Sequence, residues 1–179
     1  FSGSPTKGFV IKAVPKDWTY KAFPDVKKSS LAELTDLLKS NSAVARITAQ
    51  QELLARSVKD ATSISWKLAA DKSLPLYTRA TGIFTYAQAA DTKGMAKLVT
   101  LVADKSVREF ALRAMADRKT KSKLIPLAPY LSGLKDVSPR VQVASAIGLG
   151  RLGRKEAIPA LLQVKVPSSF VAPPKDKEG

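Results

Sequence analysis

The chain has 179 residues, 45% of them hydrophobic, and contains neither cysteine nor histidine. That length and apolar content suit one domain with a real core, and the two missing residue types exclude disulfides, thiolate nucleophiles, the usual transition-metal ligands, covalent haem attachment and Ser-His or Cys-His catalysis. Lys and Arg number 30 against 15 Asp and Glu, a formal charge of +15 whose field favours an acidic partner surface without distinguishing nucleic acid, anionic lipid, an acidic polymer or an acidic protein.

Residues 1–28 contain Pro5, Pro15 and Pro24 and no helical apolar period, so they read as an extended linker. Within it Gly8 to Val14 has the composition of a short strand, which cannot stand alone in water and is expected to belong to a sheet of a preceding domain. The chain opens on Phe1 and Ser2-Gly3-Ser4-Pro5, which reads as a processed product or a piece of something larger. No run reaches the roughly 18 to 20 apolar residues that cross a bilayer, and no leader pattern stands at the start.

From Ser29 the texture is helical. Ser30-Leu31-Ala32-Glu33 has capping-box spacing, with Leu31, Leu34 and Leu38 on one face. Asn41 and Ser42 break that helix, and Val44, Ile47, Ala49, Leu53 and Leu54 mark a second, to about Arg56. The hairpin recurs as a helix over Ser63 to Ala70, the break Asp71 to Pro75, and a helix over Leu76 to Ala89. It recurs again as Met95, Leu98, Val99 and Val102, the break Asp104-Lys105-Ser106, then Val107, Phe110, Ala111, Ala114 and Met115. A fourth unit has Leu124, Leu127, Ala128 and Leu131, a cap and first-turn proline at Asp136 to Pro139, and Val141, Ala144, Gly148, Leu149 and Leu152. Lys155 to Val164 begins a fifth. Residues 165–179 return to proline and lysine and read as a flexible tail or linker.

Arg46, Arg79, Arg108 and Gln142 recur in the second helices at roughly 30 to 35 residues, the period of helical repeat arrays. The expected fold is therefore all-α, an α-solenoid of about four and a half hairpins over residues 29–164, stacked into one core because no single pair can bury its apolar stripe. About nine helices are expected, with Leu38, Leu54, Leu98, Phe110, Leu131 and Leu149 between layers.

Ser138-Pro139-Arg140-Val141-Gln142-Val143-Ala144-Ser145-Ala146-Ile147-Gly148-Leu149-Gly150-Arg151-Leu152-Gly153, followed by Glu156-Ala157-Ile158-Pro159-Ala160-Leu161-Leu162, resembles the HEAT-like repeat first associated with phycobilisome lyases. A second resemblance covers Gly8 to about Arg56. There Gly8-Phe9-Val10-Ile11-Lys12-Ala13-Val14-Pro15-Lys16, Phe23-Pro24-Asp25-Val26 and Ala43-Val44-Ala45-Arg46-Ile47-Thr48-Ala49-Gln50-Gln51-Glu52-Leu53-Leu54 are similar to a junction in large exported proteins of planctomycete and verrucomicrobial type. In that family a sorbosone-dehydrogenase-like β-propeller precedes HEAT-like repeats and a c-type cytochrome domain often follows. The resemblance implies that Gly8 to Pro15 is the last propeller strand, that the helices are a spacer, and that the protein is periplasmic or otherwise exported. With no Cys or His present, no haem or other cofactor residue can be carried over.

Gly148-Leu149-Gly150-Arg151-Leu152-Gly153 matches the dinucleotide fingerprint in letters, but no strand precedes it and no acidic residue stands about 20 positions later, so close packing and a glycine stop are expected. Trp66, Tyr77, Phe84, Tyr86, Phe110 and Tyr130 stand at core spacing more than as base-stacking platforms. Asp36, Glu52, Asp60 and Glu109 form no recognisable acid-base pair or metal cluster. Arg46, Arg79, Arg108 and Arg140 are the candidate interaction residues, as a ladder between repeats or a phosphate-binding row. No catalytic, metal or cofactor residue is expected. The function expected is a non-catalytic interaction or spacer module for a protein partner or flanking domains, with a nucleic-acid-binding solenoid of the alkylpurine-glycosylase sort as the alternative and a bilin-lyase-like enzyme third. At the two ends Phe9, Ile11, Ile158, Leu161 and Leu162 are expected near docking surfaces.

Overall fold

The computed structural model describes residues 11–19 and 22–164, and among them every regular element is a helix. The capping box forms as its residues dictate: Ser30 Oγ accepts from the Glu33 backbone N–H at 3.2 Å while Glu33 Oε2 accepts from the Ser30 N–H at 2.7 Å, opening α1 (Leu31–Lys39). Ser42 caps α2 (Ala43–Arg56) by a single bond, its Oγ accepting from the Ala45 N–H at 3.3 Å. Ser57 then takes the Asp60 N–H and starts α3 at Val58, five residues before the expected Ser63, so the helix runs over Val58–Ala70. The apolar pattern alone hid this start, because the first turn faces solvent and the signal lies in the cap.

After Pro75, α4 occupies Leu76–Ala89 as the apolar spacing predicts. The next stretch divides into α5 (Thr92–Lys97) and a 3-10 segment Leu98–Ala103 before α6 (Arg108–Asp117). The fourth unit likewise divides into a 3-10 segment Lys119–Leu124 and α7 (Ala128–Gly133), because Pro126 denies the backbone a donor between them, and then α8 (Pro139–Leu152). A 3-10 turn Lys155–Ala157 and α9 (Ile158–Leu162) close the described chain. Among the described residues that makes nine α-helices and three 3-10 segments.

The helices pack as consecutive pairs: α1 on α2, α3 on α4, the 98–103 segment on α6, and α7 on α8. The second members also lie beside one another in chain order, α2 against α4, α4 against α6, and α6 against α8. The α3–α4 pair is the most intimate. A Cβ on Gly82 would fall 2.6 Å from the Ala69 nitrogen and 2.7 Å from the Ser65 oxygen, so only glycine lets these backbones touch.

Two apolar clusters result. Leu34, Leu38, Ala49, Leu53, Ala61 and Leu68 form one at the first hairpin. The larger joins Ile83, Met95, Leu98, Leu112, Met115, Tyr130 and Leu149 through the later hairpins. Truncating one such leucine to alanine costs roughly 2 to 5 kcal/mol in a close-packed core. Leu38, Leu98 and Leu149 are buried as expected, whereas Leu54, Phe110 and Leu131 are only half-buried, covering cluster edges.

Residues 11–14 form no strand, and Ile11 is exposed; residues 8–10 of the expected strand, Phe9 included, lie outside the described residues, as does the 165–179 tail.

Candidate functional site: the face of the second helices

Three of the hairpin turns use one device. Asp71 Oδ1 accepts from the Ser73 backbone N–H at 2.9 Å, Asp104 Oδ1 from that of Ser106 at 3.0 Å, and Asp136 Oδ1 from that of Ser138 at 2.9 Å. An aspartate two residues ahead of an N–H closes a tight turn and leaves its second oxygen free for another partner. Ser138 stands at the N-cap of α8, ahead of Pro139, without a side-chain capping bond.

Two of the recurrent arginines take up the second oxygens of Asp104 and Asp136. Arg79, 3% exposed, donates from Nε to the Ala69 carbonyl at 3.1 Å, from Nη1 to Ser106 Oγ at 2.8 Å and from Nη2 to Asp104 Oδ2 at 2.8 Å. Arg108 donates from Nε to the Val102 carbonyl at 2.7 Å and pairs through Nη1 with Asp136 Oδ2. Each therefore closes the end of the first helical segment of its own hairpin and grips the turn of the next. Arg46 makes the first half of this arrangement, to the Ser40 carbonyl at 2.7 Å, but its guanidinium lies 5.0 Å from the Tyr77 ring centre. In the fourth hairpin Gln142 repeats the backward bond, to the Asp136 carbonyl at 2.6 Å. Arg140 belongs to a different row, holding Glu109 of the preceding hairpin with Nε and Nη2 at 2.7 and 3.2 Å.

The charges are matched accordingly. The Ser106 hydroxyl, and after it Arg79, hold the Asp104 carboxyl down to about 2 against the cost of burial. The Ser138 N–H and then Arg108 lower Asp136. Arg140 is raised by its bonds to Glu109. The Arg79 and Arg108 groups are thus engaged between adjoining hairpins and are not a free row for phosphates.

The solvent side of α2, α4, α6 and α8 is the site that sequence reasoning missed. Ile47 beside Leu76 and Tyr77, and further along Val143 and Ile147, are exposed there, and Val44 stands in water near the start of α2. Two hollows lie between these helices. One, of about 610 Å³, runs between Ile47, Tyr77, Phe84 and Phe110. The other, of about 540 Å³, runs between Phe84, Val143, Ile147 and the side chains of Arg113, Arg140 and Arg151. Phe84 lines both and stands edge-on to Phe110, 6.4 Å between ring centres, so the two hollows share a wall of aromatic carbon. Arg140 with Glu109 and Arg151 with Asp117 tie α8 to α6, and Gln50 with Thr85 ties α2 to α4. The available signal was compositional: no lysine occurs in any of the four second helices.

The remaining candidates go elsewhere. Trp66 packs on Tyr86, 5.1 Å between ring centres, and Tyr130 is fully buried with its hydroxyl donating to the Leu112 carbonyl at 2.9 Å; burial raises its phenol. Asp36 and Glu52 pair with Lys39 and Arg56 on their own helices, Asp60 stands in the first turn of α3, and Glu109 serves Arg113 and Arg140. Among the described residues no group of three or more carboxylates could hold a metal ion. Of the three fingerprint glycines, Gly148 sits against Tyr130, where a Cβ would fall 2.3 Å from the ring. Gly153 stops α8 at φ +62°, and Gly150 has open space beside it.

Searches of protein-family models, curated proteins and solved structures return no match to this chain.

Proposed function

We propose that this chain is a non-catalytic interaction or spacer module, an α-solenoid of stacked HEAT-like hairpins within a larger exported redox-type protein, which holds a protein partner or a flanking domain on the face of its second helices. The observation that carries the reading is the apolar exposure of Ile47, Val143 and Ile147 around two hollows that share Phe84 as a wall. β-Branched residues at exposed helical positions are disfavoured by helix propensity and by water alike, so their recurrence on α2 and α8, at the two ends of the row of second helices, fits a surface that is covered in use. The turn-gripping arginines support a repeat array, since each holds its own hairpin and the next. The exported, periplasmic setting rests on the resemblance alone.

A nucleic-acid-binding solenoid with a basic inner face is the alternative. It has less support, because Arg56, Arg79 and Arg108 of the second helices are spent on carboxylates and backbone carbonyls, and the hollows that Arg113, Arg140 and Arg151 border are lined by apolar side chains. The lysines Lys59, Lys67, Lys93, Lys97, Lys119 and Lys123 sit on the first helices and connections instead.

Photo-crosslinking amino acids at Tyr77 and Ile147, with Val137 in a connecting turn as control, separate the readings in cells producing the parent protein. Protein crosslinks at the two face positions and not at Val137 are expected. Crosslinks to nucleic acid support the alternative, and robust turnover of a substrate by the isolated chain rejects both.

A further inference from the structure

We infer that the partner element seated on this face is an apolar segment bearing carboxylates, whose apolar side chains enter the hollows beside Phe84 and whose acidic groups meet the rim arginines. The inference rests on the interaction-module reading and specifies its ligand.

The rim is unequal in charge. Arg46, Arg113, Arg140 and Arg151 line the two hollows, against Glu109 and Asp117. Glu109 is shared by Arg113 and Arg140, and Arg46 has a carbonyl and a tyrosine ring but, among the described residues, no carboxylate. Arg113, Arg140 and Arg151 keep 54%, 70% and 53% of their side-chain surface in water, so their remaining donors are accessible. A partner that brings carboxylates completes this set, whereas one that brings lysines meets an uncompensated positive rim.

The choice of residues points the same way. Lysine is the commoner cation of the chain, yet the four second helices carry arginine only. Depletion of lysine with retention of arginine and aromatic residues is the composition of protein interface cores, because the planar guanidinium is weakly hydrated and takes a carboxylate with two parallel bonds. Tyr77, Phe84 and Phe110 supply the aromatic part. Two hollows in file along neighbouring helices suit a segment that places successive apolar side chains, as a helix or extended peptide does.

The test is selection of a displayed library of random peptides of about twelve residues on the purified chain, followed by fluorescence anisotropy of the enriched peptide against variants. The expected consensus combines large apolar residues with Asp or Glu. Its binding should weaken about tenfold or more in Ile147→Asp and several-fold in Arg140→Ala combined with Arg151→Ala, and stay unchanged in Lys59→Ala combined with Lys67→Ala on α3. Circular dichroism melting of each variant checks that the fold persists, and Ile147→Ser replaces Ile147→Asp should the latter unfold. A consensus without acidic residues overturns the inference while leaving the module reading intact. So does an acidic consensus bound equally by the Ile147 variants, which would report the overall charge. An unenriched library also overturns the inference, and the module reading falls with it only if the crosslinks at Tyr77 and Ile147 are absent too.

Discussion

Single side chains decide how closely these helices approach. Gly148 and Gly150 are two residues apart on α8, yet a Cβ at Gly148 would fall 2.3 Å from the Tyr130 ring and one at Gly150 would meet nothing within 4 Å. Tyr130 is fully buried and tied to Leu112, so it has no room to swing aside. Gly148→Ala is therefore expected to destabilise by roughly 1 to 3 kcal/mol through overpacking. Gly150→Ala should stabilise by about 0.5 to 1 kcal/mol, since it stiffens a helix without a clash. Denaturant unfolding of the two variants measures both, and effects of equal sign would show that the Tyr130 contact is not the constraint. The same residues show what a motif match leaves out, because the three glycines that fit a nucleotide fingerprint serve packing, nothing visible and a helix stop, in that order.

Between elements the joints are arginines held by turn aspartates. Arg79→Met removes a cation from three bonds and leaves the Asp104 carboxylate and the Ala69 carbonyl short of partners in a largely dry site. Losses of about 3 to 5 kcal/mol are typical when one member of a buried pair is deleted. In a double-mutant cycle with Asp104→Asn, the paired variant should lose less than the sum of the singles, and strict additivity would show the two groups uncoupled. The Asp104 carboxylate, held first by the Ser106 hydroxyl and then by Arg79, also sets an acid response. Asp104 titrates at about 2 in the fold and at about 3.9 when unfolded, so the unfolded chain binds more protons between those values. The stabilisation is complete above about pH 4 and is lost as pH falls through about 2. Urea midpoints measured across that window should decline less steeply for Asp104→Asn than for the wild type.

At the scale of the whole molecule the two apolar clusters differ in extent. The cluster joining α4 to α8 contains most of the large buried side chains, whereas α9 has no buried residue of its own and leaves Ile158 and Leu162 at 52% and 81% exposure. Of the end positions expected near docking surfaces, Ile11 is exposed as well and Leu161 is half-buried against the core. Native-state hydrogen exchange should find the slowest amides in α4, α6 and α8, opening only with global unfolding, and fast local opening in α9. Uniform protection from α1 to α9 would mean that the last helix is held by more than the contacts seen.

Much of the helical plan was determined by the sequence alone. The Ser30 capping box, the breaks at Asp71, Asp104 and Asp136, and the apolar spacing of Leu34, Leu38, Met95, Leu98 and Leu149 are local signals, and local hydrogen bonding and amphipathicity act within one helix. The spacing of Arg46, Arg79 and Arg108 announced that something repeats. What those arginines hold was decided by tertiary structure, because Asp104 and Asp136 lie 25 and 28 residues further along the chain and meet them only when hairpins stack. Arg140 fell into a separate row for the same reason, since a shift of two residues from Gln142 points a helical side chain to another face. The exposed apolar face was likewise undecided in one dimension. Val44, Ile47, Val143 and Ile147 fit the helical period of core residues, and only the packing of α2, α4, α6 and α8 shows which apolar stripe is buried and which is left in water.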